Sequence, residues 1–195
     1  MKKVFVKLND DEKLFFTSDL HIGHRNVIKF CNRPFADTKQ MEEAIIQNWN
    51  NTVGNKDTVF ILGDVLWFPH SGTTNKFFKR LNGKTIYIIP GNHDEFDSLR
   101  NNDPERIIVL SDEVTLYVEC EGQKKEIYLS HCPMMTWPHR NKNVPNLFGH
   151  IHSGPVSNND VDNDLPLWPL QYDIGCDNNN YTPIELKDIY TKFGI

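Results

Sequence analysis

Short apolar runs rich in β-branched and aromatic residues recur along the chain, and each stops at a polar residue or a glycine. Thr58-Val59-Phe60-Ile61-Leu62 and Thr85-Ile86-Tyr87-Ile88-Ile89 have the composition of buried strands. Residues 3–8 and 13–18 flank the polar segment Asn9-Asp10-Asp11-Glu12 and predict a β-hairpin. Residues 107–110, 114–120 and 125–130 predict a second group of strands, the last two joined by a turn at 121–123. A final strand is expected over 170–176. A helical period appears after Asp37-Thr38, either of which suits an N-cap. Met41, Ala44, Ile45, Asn48 and Trp49 then form one stripe, ending near Gly54. Residues 74–81 predict a short amphipathic helix stopped by Asn82-Gly83, and 183–190 a terminal one. Shorter helical pieces are expected at 26–30 and 96–100. Strands and helices alternate in the first half, whereas strands follow one another in the second. This order favours two sheets packed together and flanked by helices. No linker, repeat or low-complexity stretch divides it, so residues 1–195 are read as a single domain.

The candidate chemistry sits where the strands stop. Thr17-Ser18 runs into Asp19-Leu20-His21, Leu62 into Gly63-Asp64, and Pro90 into Gly91-Asn92-His93-Asp94. Ser130 runs into His131, and Phe148 into Gly149-His150-Ile151-His152. Pro90 has no N–H for a ladder and fits a strand end, while Gly91 permits a turn that a Cβ would hinder. Five junctions carrying Asp, Asn or His point to one metal site gathered at the strand ends. Residues i and i+2 of an extended segment project to the same side, which suits the Asp19/His21 and His150/His152 pairs.

Composition narrows the class. The 195 residues are 38% hydrophobic and 24% charged, as in a soluble globular protein. No apolar run approaches the roughly 18 residues of a membrane span. The basic start resembles a signal peptide, but Lys7, Asn9 and Asp10 interrupt its apolar stretch, and an export signal is rejected. The four cysteines form no Cys-x-x-Cys pair and are read as free thiols in a reducing cytoplasm. Cys132 reads as a small buried residue beside the site rather than a nucleophile. A net charge of −5 argues against stable binding to duplex nucleic acid.

The ordered set Asp-x-His, Gly-Asp, Gly-Asn-His-Asp, a lone His and Gly-His-x-His resembles the calcineurin-like metallophosphoesterase family. It spans Asp19 to His152, about two-thirds of the chain. The segment Asn32-Arg33-Pro34-Phe35 and the tail from Asp173 to Pro183 are similar to small bacterial and phage members. The resemblance implies an α/β fold, a four-layer α/β-β/α sandwich of two mixed sheets flanked by helices. It implies a first metal bound by Asp19, His21 and His152, and a second bound by Asn92, His131 and His150. Asp64 would bridge them, and His93 would be catalytic, protonating the leaving alkoxide or bonding the phosphoryl oxygen. Two metal ions neutralise phosphate oxygens and activate water, so in-line attack by metal-bound hydroxide is expected. The mixed imidazole and carboxylate donors suit two divalent transition-metal ions, with Mn²⁺ favoured over Fe, Zn²⁺ or Ni²⁺.

The expected substrate is a small phosphodiester or a nucleotide derivative. A phosphomonoesterase or a small nuclease of the same family is the alternative, and a non-catalytic protein-binding scaffold a remoter one. Asp94 in place of Glu, and Val65-Leu66-Trp67 after Gly63-Asp64, depart from the protein phosphatases. His24 reads either as a substrate contact or as a cap for the helix that follows. Arg33 reads either as a phosphate clamp or as a solvated arginine. Asp94 is a candidate to orient His93. His70, Trp67, Trp137, His139 and Arg140 lie on loops, where solvated or core-packed side chains are expected.

Overall fold

The computed structural model describes residues 2–67, 71–95, 97, 99, 103–120, 122–154 and 167–194. His70 and part of the expected 96–100 helix lie outside the described residues. The chain runs β1 (Lys2–Lys7), β2 (Leu14–Thr17), α1 (Arg25–Phe30), α2 (Thr38–Thr52), β3 (Thr58–Ile61) and α3 (Ser71–Phe78). It continues with β4 (Thr85–Ile88), β5 (Ile107–Val109), β6 (Glu113–Cys120), β7 (Gln123–Ser130) and β8 (Asn146–Phe148). Then follow β9 (Gln171–Asp173), β10 (Ile184–Glu185) and α4 (Leu186–Phe193).

These strands make two mixed sheets of five, ordered β1-β6-β7-β8-β9 and β10-β2-β3-β4-β5. In the first, β6 and β7 form the expected antiparallel hairpin, while the other neighbours are parallel. In the second, β2 to β5 are parallel and only β10 is reversed. The hairpin expected from residues 3–18 does not form. β1 pairs in parallel with β6, placing Val4 beside Leu116, and β2 takes an interior position in the facing sheet, between β10 and β3. The physical reason is burial. All four β2 residues are buried, so that strand needs a neighbour on each side and cover on both faces. β1 leaves Lys3, Phe5 and Lys7 exposed, as an edge strand can.

The core lies in two layers. Between the sheets, Phe16, Phe60 and Leu62 meet Leu116, Ile127, Leu129 and Leu147, with Ile189 and Tyr190 of α4 in the same cluster. On the other side of the second sheet, Phe15, Val59, Ile61 and Ile86 pack on Val27, Met41, Ile45, Trp49 and Phe77 of α1 to α3. Asp37 is the N-cap of α2. It accepts the Gln40 N–H, and the Gln40 side chain accepts from Ala36, a reciprocal cap. The outer face of the first sheet is covered differently. There Tyr128, Trp137 and Val144 form a small cluster under residues 132–145, which include one 3₁₀ turn. The flanking helical layers are therefore unequal among the described residues.

The topology positions the site. β2, β3 and β4 run parallel, as do β7, β8 and β9, so the carboxyl ends of each trio share an edge. A bridge between Ser18 and Gly175 and a bond from the Gly149 N–H to the His131 carbonyl (2.8 Å) draw those ends together. A crevice outside the carboxyl ends of parallel strands is the usual location of function in open α/β sheets.

Candidate metal centre

Asp19 follows β2, Asp64 follows β3, and Asn92 and His93 follow β4. His131 follows β7, and His150 and His152 follow β8. The structure brings all of them together. Asp64 lies between two histidines: its Oδ2 is 3.4 Å from His21 Nε2 and 3.6 Å from His131 Nε2. On one side, His21 Nε2 faces His152 Nε2 at 3.2 Å, and Asp19 Oδ1 is 3.8 Å from His152 Nε2. On the other, Asn92 Oδ1 is 2.9 Å from His131 Nε2 and 3.0 Å from His150 Nδ1. The side chains thus fall into two clusters with Asp64 between them.

These distances fit metal ligation. Two ligand atoms each about 2.1 Å from one ion are roughly 3.0–3.4 Å apart at ordinary bond angles. The orientation of the rings agrees. His131 Nδ1 lies 2.7 Å from the Leu62 carbonyl, which only accepts, so Nδ1 carries the hydrogen and Nε2 turns its lone pair inward. His152 Nδ1 likewise bonds Asp177 Oδ2 at 2.8 Å. Burial opposes protonation of His152, but Asp177, Cys31 and Asp19 together outweigh it and pull the imidazole up to about 11. Burial and the neighbouring His152 push His21 well down, keeping that ring neutral. Whether proton or metal ion, a cation belongs between these two rings. Burial also raises Asp64, against the pull of His131.

Five of the site residues hold the left-handed backbone region: Asp19 (φ 57°), His21 (49°), Asp64 (54°), His150 (73°) and His152 (48°). The extended geometry expected for Asp19/His21 and His150/His152 is therefore replaced by tight turns. Asp19 and His21 still share one cluster, while His150 reaches Asn92 and His152 reaches His21, so the last stretch serves both clusters. Each left-handed non-glycine residue costs on the order of 1–3 kcal/mol and persists only where its surroundings enforce it. Here they do. The Asp19 N–H bonds the Gly63 carbonyl and the His21 N–H the Asp64 carbonyl, while the His150 N–H bonds the Asp19 carboxylate.

Three polar residues supply this enforcement in ways the sequence did not convey. Asp94 does not turn to His93. Its carboxylate accepts the N–H groups of Asp64, Val65 and Gly91 and so clamps the β3 turn to the β4 turn. Arg33, expected to clamp phosphate or stand in water, does neither. Its guanidinium is buried, paired with both oxygens of Asp177 (2.8 and 2.7 Å), and bonded to the carbonyls of Asp19 and Leu20. Asp177 thus links Arg33 to His152. Against the effect of burial, Arg33 holds its carboxyl below the usual range. The signal was present: the Asn-Arg-Pro-Phe segment and the 173–183 tail stood out together, but their pairing is non-local. Asp173, in the same tail, accepts from Ser153 and Gly175, and burial beside Asp19 raises it to about 7.

His93 joins the site through its backbone, whose N–H donates to Asp64 Oδ1 (3.0 Å). Its ring is 5.6 Å from that of His21 and 5.0 Å from that of Trp67. His24 precedes α1 but makes no side-chain cap; its ring stacks on Trp67 at 3.8 Å. Both rings line one cavity with His21 and His152. Cys132 is exposed rather than buried as expected, but partial desolvation and the carboxylates of Asp19 and Asp64 push its thiol up, which makes it a poor nucleophile. Trp137, His139 and Arg140 are occupied elsewhere: Trp137 bonds the Val144 carbonyl, His139 pairs with Glu126, and Arg140 lies over Trp168.

Gly149 is required by close approach. A Cβ there would overlap Ser18 Oγ and Asp19 Oδ2. Gly149→Ala is expected to cost about 1–3 kcal/mol and to displace Asp19. Thermal unfolding with and without Mn²⁺ checks this, and an unchanged melting temperature with undiminished metal stabilisation would count against it.

Fold and site together define an α/β-sandwich protein with metal-ligand groups at the carboxyl ends of its parallel strands. The profile of the calcineurin-like phosphoesterases matches residues 12–191, and the chain belongs to that family. An uncharacterised protein of Methanocaldococcus jannaschii, MJ1445, is 41% identical over 85 residues, 43% of this chain and 48% of that protein. The chain thus spans about half the length of this archaeal relative. The Gene 66 proteins of Mycobacterium phages L5 and D29 are 28% and 29% identical. They cover 71% and 72% of this chain, and 77% and 78% of their own lengths. A protein of unknown function from Aquifex aeolicus, AQ665, shares the fold. Its TM-score is 0.65 at 24% identity, over 93% of this chain and all of that one. Among the described residues no helix is long and apolar enough to cross a membrane.

Proposed function

We propose that the protein hydrolyses small phosphodiesters at a pair of divalent transition-metal ions, with Mn²⁺ the first candidate. Asp19, His21 and His152 would hold one ion and Asn92, His131 and His150 the other, with Asp64 shared. The observation that carries the reading is the position of Asp64, within 3.6 Å of a histidine from each cluster. Ions bound there supply charge neutralisation of the phosphoryl oxygens and activation of water. The residues of the chain do the rest. The Asp94 clamp fixes Asp64, and Asp177 fixes His152. His93 stands beside the first cluster, where it can give a proton to the departing oxygen.

Charge supports a diester over a monoester. A monoester dianion calls for an additional cationic side chain, whereas a diester carries one charge. Among the described residues lining the two cavities beside the site, none is Lys or Arg, and Arg33 is spent on Asp177. Protein stripped of metal and reloaded with Mn²⁺ is expected to cleave bis-(p-nitrophenyl) phosphate faster than p-nitrophenyl phosphate. The opposite preference would move the assignment to the phosphomonoesterases.

The role of His93 depends on the leaving group. His93→Asn is expected to slow an alkyl diester about 10²–10⁴-fold, since the alkoxide needs a proton. A nitrophenyl ester, whose leaving group needs none, should lose far less. Equal losses on both esters would remove the proton-donor role.

A further inference from the structure

Two cavities open beside the candidate metal centre, and their walls differ. The one by Asn92 and His131 measures about 380 Å³ and includes the carboxylates Asp112 and Glu113. The one by His21, His93 and His152 measures about 550 Å³, and no carboxylate lines it. Its remaining walls are Trp67, His24, Val27, Phe30, Cys31 and Asn26. The Trp67–His24 stack forms one aromatic surface 5.0 Å, ring to ring, from His93. Phe30, at the end of α1, is 64% exposed although large and apolar, and its ring meets His24 edge-on at 6.5 Å. Core packing accounts for Val27 but not for Phe30.

The geometry points to a pocket for a planar aromatic group on the leaving side of the phosphoester, held by Trp67, His24 and Phe30. The inference rests on the phosphoesterase reading and narrows it. The pocket is continuous with His21 and His152 of the first cluster, so a group lodged there can be bonded to a phosphoryl centre at the site. His93 lines the same cavity, which puts the departing oxygen on this side. Flat rings suit it because aromatic walls bind a π-face without demanding a hydrogen-bond pattern. The acidic walls of the other cavity disfavour a second anionic group there. Both a nucleobase and a simple aryl group have the required chemistry.

The test uses phosphonates, whose P–C bond is not hydrolysed. Binding of phenylphosphonate and methylphosphonate to the Mn²⁺-loaded protein would be measured by calorimetry. AMP against ribose 5-phosphate forms a second arm that asks for a base rather than a simple ring. The phenyl compound is expected to bind at least about fivefold tighter than the methyl one, the low end of base-on-aromatic stacking. Trp67→Ala and Phe30→Ala should each reduce that advantage and leave affinity for inorganic phosphate unchanged. If Trp67→Ala fails to fold, the exposed Phe30 carries the test alone. No aryl preference in either arm, or a preference that survives both substitutions, overturns the pocket. An aryl preference in the phosphonates without one for AMP assigns the pocket to simple aryl esters; a preference in both assigns it to nucleotides. A protein that turns over diesters without aryl preference keeps the proposed function and loses this inference. One that binds aryl phosphonates selectively but hydrolyses nothing keeps the aromatic pocket and loses the proposed function, and with it the leaving-side assignment.

Discussion

Asp64→Asn is expected to lower phosphodiester turnover at least about 10³-fold, with no loss of stability in the metal-stripped protein. The size follows from position. Loss of one well-placed electrostatic group costs about 10²–10³ in rate, and Asp64 stands between both candidate clusters. The stability follows from burial. Asp64 is 2% exposed and its carboxyl is already raised by desolvation, so an amide of the same shape removes a cost. Asn also keeps an oxygen for the His93 N–H. Metal content by elemental analysis should fall below two ions per chain in the variant. Turnover within tenfold of the parent, with two ions still bound, would rule out the shared-ligand role.

What the sequence disclosed and what it withheld divide along the range of the interactions. The clustering of the strand-end motifs was legible because each is local: a strand followed by Asp, Asn or His within a few residues. The stripe of α2 was legible for the same reason, and Met41, Ile45 and Trp49 are buried as expected. The partner of β1 was not, since Lys2 pairs with Val114, and nothing nearby favours β6 over β2. The left-handed turns at Asp19, His21, His150 and His152 were likewise hidden, because the bonds that enforce them join separate loops. Arg33 and Asp177 stand 144 positions apart, and only folding makes them a pair.

Asp177→Ala tests that pair and is expected to have the largest effect on stability, about 3–5 kcal/mol, the usual consequence of stranding one partner of a buried ion pair. Both side chains are essentially out of solvent, at 0% and 1% exposure, so water cannot replace the lost carboxylate around Arg33. Urea unfolding of the metal-stripped protein reads this term. The second term concerns the site. Asp177 accepts from His152 Nδ1 and so fixes which nitrogen faces His21; losing such a bond weakens metal binding about 10–100-fold. The two terms separate in the double variant Arg33→Met, Asp177→Leu. Replacing both charges by apolar groups should restore part of the stability, though not all, because the carbonyls of Asp19 and Leu20 lose their donors. It should not restore metal affinity, since His152 still lacks its acceptor. If stability and affinity recover together, Asp177 acts on the fold alone and positions nothing. If affinity stays low while stability returns, the tail beyond β9 belongs to the working site as much as the five strand-end motifs do.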